Sequence, residues 1–168
     1  MSVRQRTSLQ LEVANKLRDL VGTCAYNANL YSSLKSFATD SGLVSLSKFF
    51  NEASRTSAKN AEVLGNHLIK SGFILNYPSV DEVVVDVKED YDGADLLEIA
   101  LDTETKMTDT INDIAQMCLE KKDHITYGLM SKFLQVQVNC ERNKRVRLDI
   151  FKSSDDDIVA DNQIGSIN

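Results

Sequence analysis

Four polar side chains stand at helical positions where a bundle of helices would normally bury apolar residues. Glu104 and Gln137 interrupt apolar stripes with three- and four-residue spacing, and Ser57 and Asn60 interrupt another within the stretch SRTSAKNAEVLGNHL, residues 54–68. A buried carboxylate without a partner is costly, so Glu104 needs a hydrogen-bond partner, water or a metal ion. The pattern therefore predicts a polar site inside the protein, with Glu104 as the one candidate metal ligand.

A di-iron centre in a helical bundle needs more than one carboxylate. Such centres use a Glu from each of two helices and a Glu-x-x-His pair from each of the other two, because bridging carboxylates must neutralise the metal charge. The Glu-x-x-His motif is absent: Leu64 stands three residues before His67, and Lys121 stands three residues before His124. We therefore interpret both histidines as packing or surface residues.

Composition favours one helical domain over residues 1–168. Hydrophobic residues make up 42% of the chain. One Pro and seven Gly are few of the residues that end secondary-structure elements, which favours long helices over many short strands. The net charge of −6 gives no broad attraction to nucleic acid or an anionic membrane. We interpret the basic stretch Arg142–Arg147 as a solvated helix end, with a binding patch as the alternative.

Cysteine usage and the N-terminus indicate a cytoplasmic protein. Cys24, Cys118 and Cys140 lie far apart without a CxxC motif, which favours reduced, mostly buried thiols. The opening residues MSVRQRTSLQLEVA hold no apolar core of signal-peptide length, and no window approaches the roughly 20 apolar residues of a membrane span.

The apolar periodicity predicts four long helices and a short fifth. In order, the predicted elements are a helix over about 7–36, a polar break at 40–42, a helix ending at Lys70, an extended segment over 73–92, a helix with apolar positions from Leu97 to Cys118, a break at 121–123, a helix reaching Phe151, and a short helix around 155–163.

The lengths of these elements define a topology. Helices of this length span about 40 Å, and an extended segment of some 20 residues reaches about 65 Å, enough to cross the whole bundle. The short breaks make neighbouring helices antiparallel. Two hairpins joined by one long crossover form the ferritin-like arrangement of an all-α four-helix bundle.

Several segments, in order along the chain, carry a resemblance to animal ferritin subunits. LSKFFNEAS and NAEVL resemble the family's second helix, LLEIALDTETKM resembles its third, and FLQVQV resembles its fourth. SVRQ at the start is similar to the family's N-terminal extension, and DIVADNQIG resembles its short last helix. With this register, the ungapped match runs from the N-terminus through the second helix.

The resemblance implies a set of positions for the family's ferroxidase centre. The third-helix Glu and fourth-helix Gln of that centre match Glu104 and Gln137. The remaining four positions are Gly22 for the first-helix Glu, Asn29 for the Tyr one heptad later, Ser57 for the bridging Glu and Asn60 for the His. On this interpretation the oxidation site is lost, and the chain is expected not to be an enzyme.

Two further iron functions of the family also depart from its pattern. The nucleation carboxylates of light-type chains fall on Glu52, Arg55, Thr56 and Lys59, which leaves one acid and two cations. The acids that line the family's three-fold channel fall on Gly128 and Ser131. A neutral channel would attract Fe²⁺ poorly.

Three functions remain as hypotheses. The first is a light-type, non-catalytic subunit of a hollow shell of 24 copies, self-associated or mixed with a heavy-type chain, needing no resident cofactor and holding iron as a stored mineral. The second is an iron-independent cage with a structural, storage or chaperone-like role. The third is an enzyme with a rearranged metal site built on Glu104, Gln137, His67 or Cys140.

Overall fold

The computed structural model describes residues 9–167, and within them the predicted all-α fold is confirmed. Five helices follow in order: α1 (Leu11–Asp40), α2 (Val44–Lys70), α3 (Gly93–Glu120), α4 (His124–Ser153) and α5 (Asp157–Ile164). The predicted start of the first helix at residue 7 lies outside the described residues. Its predicted end at 36 is too early, because helical hydrogen bonding continues to Asp40.

The helices form two hairpins joined by the long crossover. α1 packs on α2, α3 packs on α4, and the two hairpins meet chiefly through α1 and α3. Gly42, with a positive φ of 74°, makes the tight turn between α1 and α2. Residues 73–92 form neither helix nor strand and run from the end of α2 to the start of α3, as predicted.

Two glycines inside helices allow this crossover to lie directly on the bundle. A Cβ added at Gly22 would lie 2.8 Å from Cγ of Pro78, and one added at Gly65 would lie 3.1 Å from the hydroxyl of Tyr77. Glycine in the middle of a helix costs about 1 kcal/mol relative to alanine. Glycine is nevertheless present at these two positions because the crossover approaches the helices too closely for a Cβ atom.

The apolar interior is divided into two clusters by a polar layer. Cys24, Leu64 and Met107 belong to one cluster, which lies toward the start of α1. Tyr31 and Phe50 belong to the other, at the opposite end of the bundle. The buried polar residues between them come from all four long helices and are Asn27, Ser57, Glu104, Gln137 and Lys144.

The short helix α5 is fixed to the bundle by its carboxylates. Asp161 is buried and accepts hydrogen bonds from the backbone N–H groups of Ser45 at 2.9 Å and Leu46 at 2.8 Å, at the start of α2. Asp157 accepts one from Gly93 N–H at 2.7 Å, at the start of α3. Each carboxylate satisfies N–H groups that a helix leaves without internal partners. The short C-terminal helix is thus confirmed.

Candidate functional site

The polar layer is organised around the carboxylate of Glu104. Its Oε1 atom lies 2.8 Å from the ammonium nitrogen of Lys144 on α4 and also accepts a hydrogen bond from the hydroxyl of Tyr31 on α1. Its Oε2 atom accepts a hydrogen bond of 2.9 Å from the side-chain amide of Gln137, also on α4. The buried carboxylate of Glu104, which was expected to need a partner, therefore contacts three side chains. The one of opposite charge is Lys144.

These contacts keep Glu104 ionised. Burial alone would raise its pKa, but the charge and hydrogen bond of Lys144, with hydrogen bonds from Tyr31 and Gln137, bring the pKa below the usual value of a glutamate. The carboxylate of Glu104 in turn affects Tyr31. Burial and then the charge of Glu104 raise the pKa of the Tyr31 hydroxyl well above its usual value. Tyr31 therefore stays protonated and donates to Glu104.

Two aromatic rings lie close to the ammonium group of Lys144. Its ammonium nitrogen lies 5.1 Å from the ring centre of Tyr31 and 5.5 Å from that of Phe49. Cations are attracted to the faces of aromatic rings at such distances. The side chain of Lys144 is only 4% exposed, so the interpretation of the basic stretch as wholly solvated is wrong at this residue.

A cavity of about 170 Å³ adjoins the polar layer and includes both polar positions of α2 predicted from the sequence. Ser57 and Asn60 form part of its wall, opposite Glu104 and Gln137. Cys24 and Cys140 line it too. Burial and the charge of Glu104 raise the pKa of the Cys24 thiol to about 12, so this thiol is protonated at neutral pH.

Two of the predicted positions on α1 do not reach this site. Gly22 faces Pro78 of the crossover, and Asn29 is exposed. Cys24 and Tyr31 keep the same seven-residue separation, and both contribute to the bundle centre. The α1 side chains described at the bundle centre thus include Cys24 and Tyr31, which stand two residues after Gly22 and Asn29.

The remaining predicted positions lie apart from the bundle centre. Glu52 and Arg55 form an exposed ion pair with an N–O distance of 3.2 Å, and Thr56 and Lys59 are exposed on the same helix. Gly128 and Ser131 are half-buried near the start of α4, and a Cβ added at Gly128 would meet nothing within 4 Å.

The two histidines differ in their surroundings. Nε2 of His67 lies 3.0 Å from the hydroxyl oxygen of Thr126, which ties the end of α2 to the start of α4. Burial lowers the pKa of His67, with a smaller opposing effect from Asp123. His124 is exposed. Neither belongs to the polar layer, so His67 is not part of a metal site with Glu104.

The donor set around Glu104 does not fit a carboxylate-bridged pair of iron ions. The buried carboxylate of Glu104 already contacts an ammonium group. The other carboxylate lining the cavity, Glu52, is exposed at the rim and paired with Arg55, and the remaining polar side chains of the lining are amides, hydroxyls and thiols. Two ferrous ions at this place would need negative charge that these groups do not supply. Across residues 9–167, no three His, Cys, Asp or Glu side chains are grouped so that they could hold a metal ion. In the same residues, no helix is both long enough and apolar enough to cross a membrane.

Comparison with known proteins identifies the family. The ferritin family, described as a ferritin-like domain, matches residues 14–150, and the chain belongs to this family. The structure is similar to an open-pore ferritin from the hyperthermophilic archaeon Archaeoglobus fulgidus, with a TM-score of 0.88 and 17% identity, over 96% of this chain and 99% of that one.

Two engineered proteins give nearly the same match. An engineered closed form of the Archaeoglobus fulgidus ferritin has a TM-score of 0.86 and 18% identity over 95% of this chain and 98% of its own. A humanized archaeal ferritin has a TM-score of 0.87 and 16% identity over 95% and 99%. No curated protein sequence matches this chain.

These matches correct the prediction that the chain is not an enzyme. That prediction compared the chain with light-type animal subunits, whereas the structural relatives found here are archaeal ferritins that superpose over nearly the whole chain. Two of the positions on which it rested lie away from the polar layer, because Gly22 faces Pro78 and Asn29 is exposed. The prediction is wrong.

Proposed function

We propose that this chain is a subunit of a hollow ferritin shell and that it takes part in intracellular iron storage in the manner of a light-type chain, together with a heavy-type chain. Membership of a cage-forming family supports the shell. The stored iron would be cargo in the interior, and no resident cofactor is required. The free thiols of Cys24, Cys118 and Cys140 support a cytoplasmic location.

The observation that carries the light-type assignment is the buried ion pair between Glu104 and Lys144, with its 2.8 Å contact. The ammonium group balances the buried carboxylate from within the subunit, so the bundle keeps charge neutrality without a bound cation. A subunit of this kind contributes wall and interior volume to a mixed shell.

The test is iron loading of purified particles. The chain is assembled alone, and with a heavy-type ferritin chain at several ratios, and particle diameter is measured by electron microscopy. Each preparation receives aerobic Fe²⁺, and iron per particle and the initial oxidation rate are recorded. More iron per particle in mixed shells than in shells of either chain alone supports the proposal. Mixed shells that hold no more iron than heavy-type shells would refute the light-type role.

A specific surface feature favours one alternative, an iron-independent cage with a structural, storage or chaperone-like role. The exposed face of α2 carries Arg55 and Lys59 at positions where mineral growth would call for acids. The same loading experiment separates the two functions, because shells that stay empty in both preparations support the alternative. The variant with Arg55→Glu and Lys59→Glu provides a control, since added carboxylates should increase mineral in a storage shell.

A further inference from the structure

Two neighbouring cavities share part of their walls. The first is the central cavity of about 170 Å³ beside Glu104. The second, here called the outer groove, has a volume of about 560 Å³ and is enclosed by α1, α3 and the crossover at Val84–Asp86. Asn27 and Met107 line both cavities, so these two side chains separate them.

The central cavity also opens to the other side of the molecule. Its rim includes Glu52 and Thr56 of α2 and Asn143 of α4, all of which are exposed. The hairpins meet through α1 and α3, so the side between α2 and α4 is the opposite face. A line from the outer groove, past Asn27 and Met107, and through the central cavity therefore crosses the whole subunit.

The two separating residues have the properties of a movable, hydrated barrier. Asn27 is 7% exposed, and none of the side-chain hydrogen bonds within residues 9–167 involves its amide, which leaves the amide free to bind water in the cavities. Met107 is also 7% exposed, and its unbranched thioether has three rotatable bonds. Rotation of this side chain changes the opening without disturbing the backbone.

Three ion pairs lie along this line, and among the described lining residues Asp86, exposed at the outer groove, is the one charged side chain outside them. Asp102 and Lys106 form an ion pair of 2.6 Å at the outer groove, and Glu52 pairs with Arg55 at the opposite rim. Between them, Glu104 is paired with Lys144. An ion would lose its hydration at the narrow point without a free opposite charge, which is costly. Uncharged polar solutes avoid that cost.

We propose that Asn27 and Met107 form a gate between the two cavities, and that water and small uncharged polar molecules cross the subunit through it. The thiol of Cys140 reports on this path, because it lines the central cavity and is half-buried. The thiol of Cys118 is the internal control, because it is fully buried in the apolar cluster and lines neither cavity.

The experiment measures the labelling rate of each cysteine by mass spectrometry in the assembled protein. The probes are methyl methanethiosulfonate, which is neutral, and sulfonatoethyl methanethiosulfonate, which is anionic. Thr56→Trp covers the rim between α2 and α4, and loss of anionic labelling at Cys140 verifies the closure. The neutral reagent should then still label Cys140 within about threefold of the wild-type rate.

Two gate variants, made in the Thr56→Trp background, should act in opposite directions. Asn27→Leu should slow neutral labelling of Cys140 at least tenfold, and Met107→Ala should accelerate it at least threefold. Met130→Ala, a buried methionine of the same apolar cluster away from both cavities, should leave it unchanged. All rates are divided by that of Cys118, so general loosening of the fold cancels. The proposal is overturned if closing the rim reduces Cys140 labelling to the Cys118 rate, or if the gate variants leave the ratio unchanged.

Discussion

Replacing Lys144 with methionine tests whether the polar layer depends on the buried ion pair. The side chains of Lys144 and Glu104 are 4% and 10% exposed and lie 2.8 Å apart. Removing one partner of such a pair leaves an uncompensated buried charge, which typically costs about 3–5 kcal/mol. For a chain of this size each kcal/mol lowers the melting temperature by about 2–4 °C, so Lys144→Met should lower it by roughly 6–20 °C.

The stability loss caused by Lys144→Met should depend on pH. In the wild type the pKa of Glu104 is lowered on folding, so its contribution to stability is present above the usual carboxylate pKa and is lost as the pH falls through the lowered value. Without Lys144, burial would raise the pKa of Glu104 above its usual value. The deficit of Lys144→Met should then be largest at neutral pH and should shrink as the pH falls and Glu104 takes up a proton.

Melting curves recorded by circular dichroism between pH 5 and pH 8 provide the measurement. The double variant Lys144→Met with Glu104→Gln removes both charges and should recover most of the loss, because no unpaired charge remains. Lys132→Met, at an exposed position of the same helix, should change stability by no more than about 0.5 kcal/mol. A loss below about 1 kcal/mol at every pH, or no recovery in the double variant, would refute the reasoning.

Two further predictions concern the attachment of α5 and of the crossover. Asp161→Ala removes the acceptor of two backbone N–H groups and should lower the free energy of unfolding, measured in urea, by about 2 kcal/mol. Asp155 is exposed and its side chain makes no hydrogen bond within residues 9–167, so Asp155→Ala should leave that free energy unchanged. Equal effects of the two variants would contradict a capping role for Asp161. Gly22→Ala should lower the melting temperature, because its Cβ would lie 2.8 Å from Cγ of Pro78. Gly128→Ala, where a Cβ meets nothing within 4 Å, should gain about 1 kcal/mol of helix propensity and raise the melting temperature by about 2–4 °C. Shifts of the same sign would count against close packing of the crossover.

The fold was predictable because its signals are local and repeated. Apolar residues recur at helical spacing along four long segments, and the breaks near Gly42 and Lys122 coincide with positive φ angles of 74° and 58°. The β-branched run from Val83 to Val85 indicated an extended crossover, although no strand forms in the described residues. The predicted end of the first helix was less accurate, because Phe37 and Ala38 also pack in the core and the helix continues to Asp40.

The candidate site was predictable in part, and the missing part was its positive charge. Glu104 and Gln137 stood out because polar residues interrupted an apolar stripe, and the structure places them in contact. Lys144 stands seven residues after Gln137, on the same face of α4, but its basic neighbours made it look like part of a solvated helix end. A buried carboxylate that lacks metal ligands nearby requires a cation from elsewhere in the chain. The stripe through Gln137 and Cys140 continues to Lys144 and then to Arg147, and of these two cations Lys144 stands nearer to Gln137 and contacts Glu104.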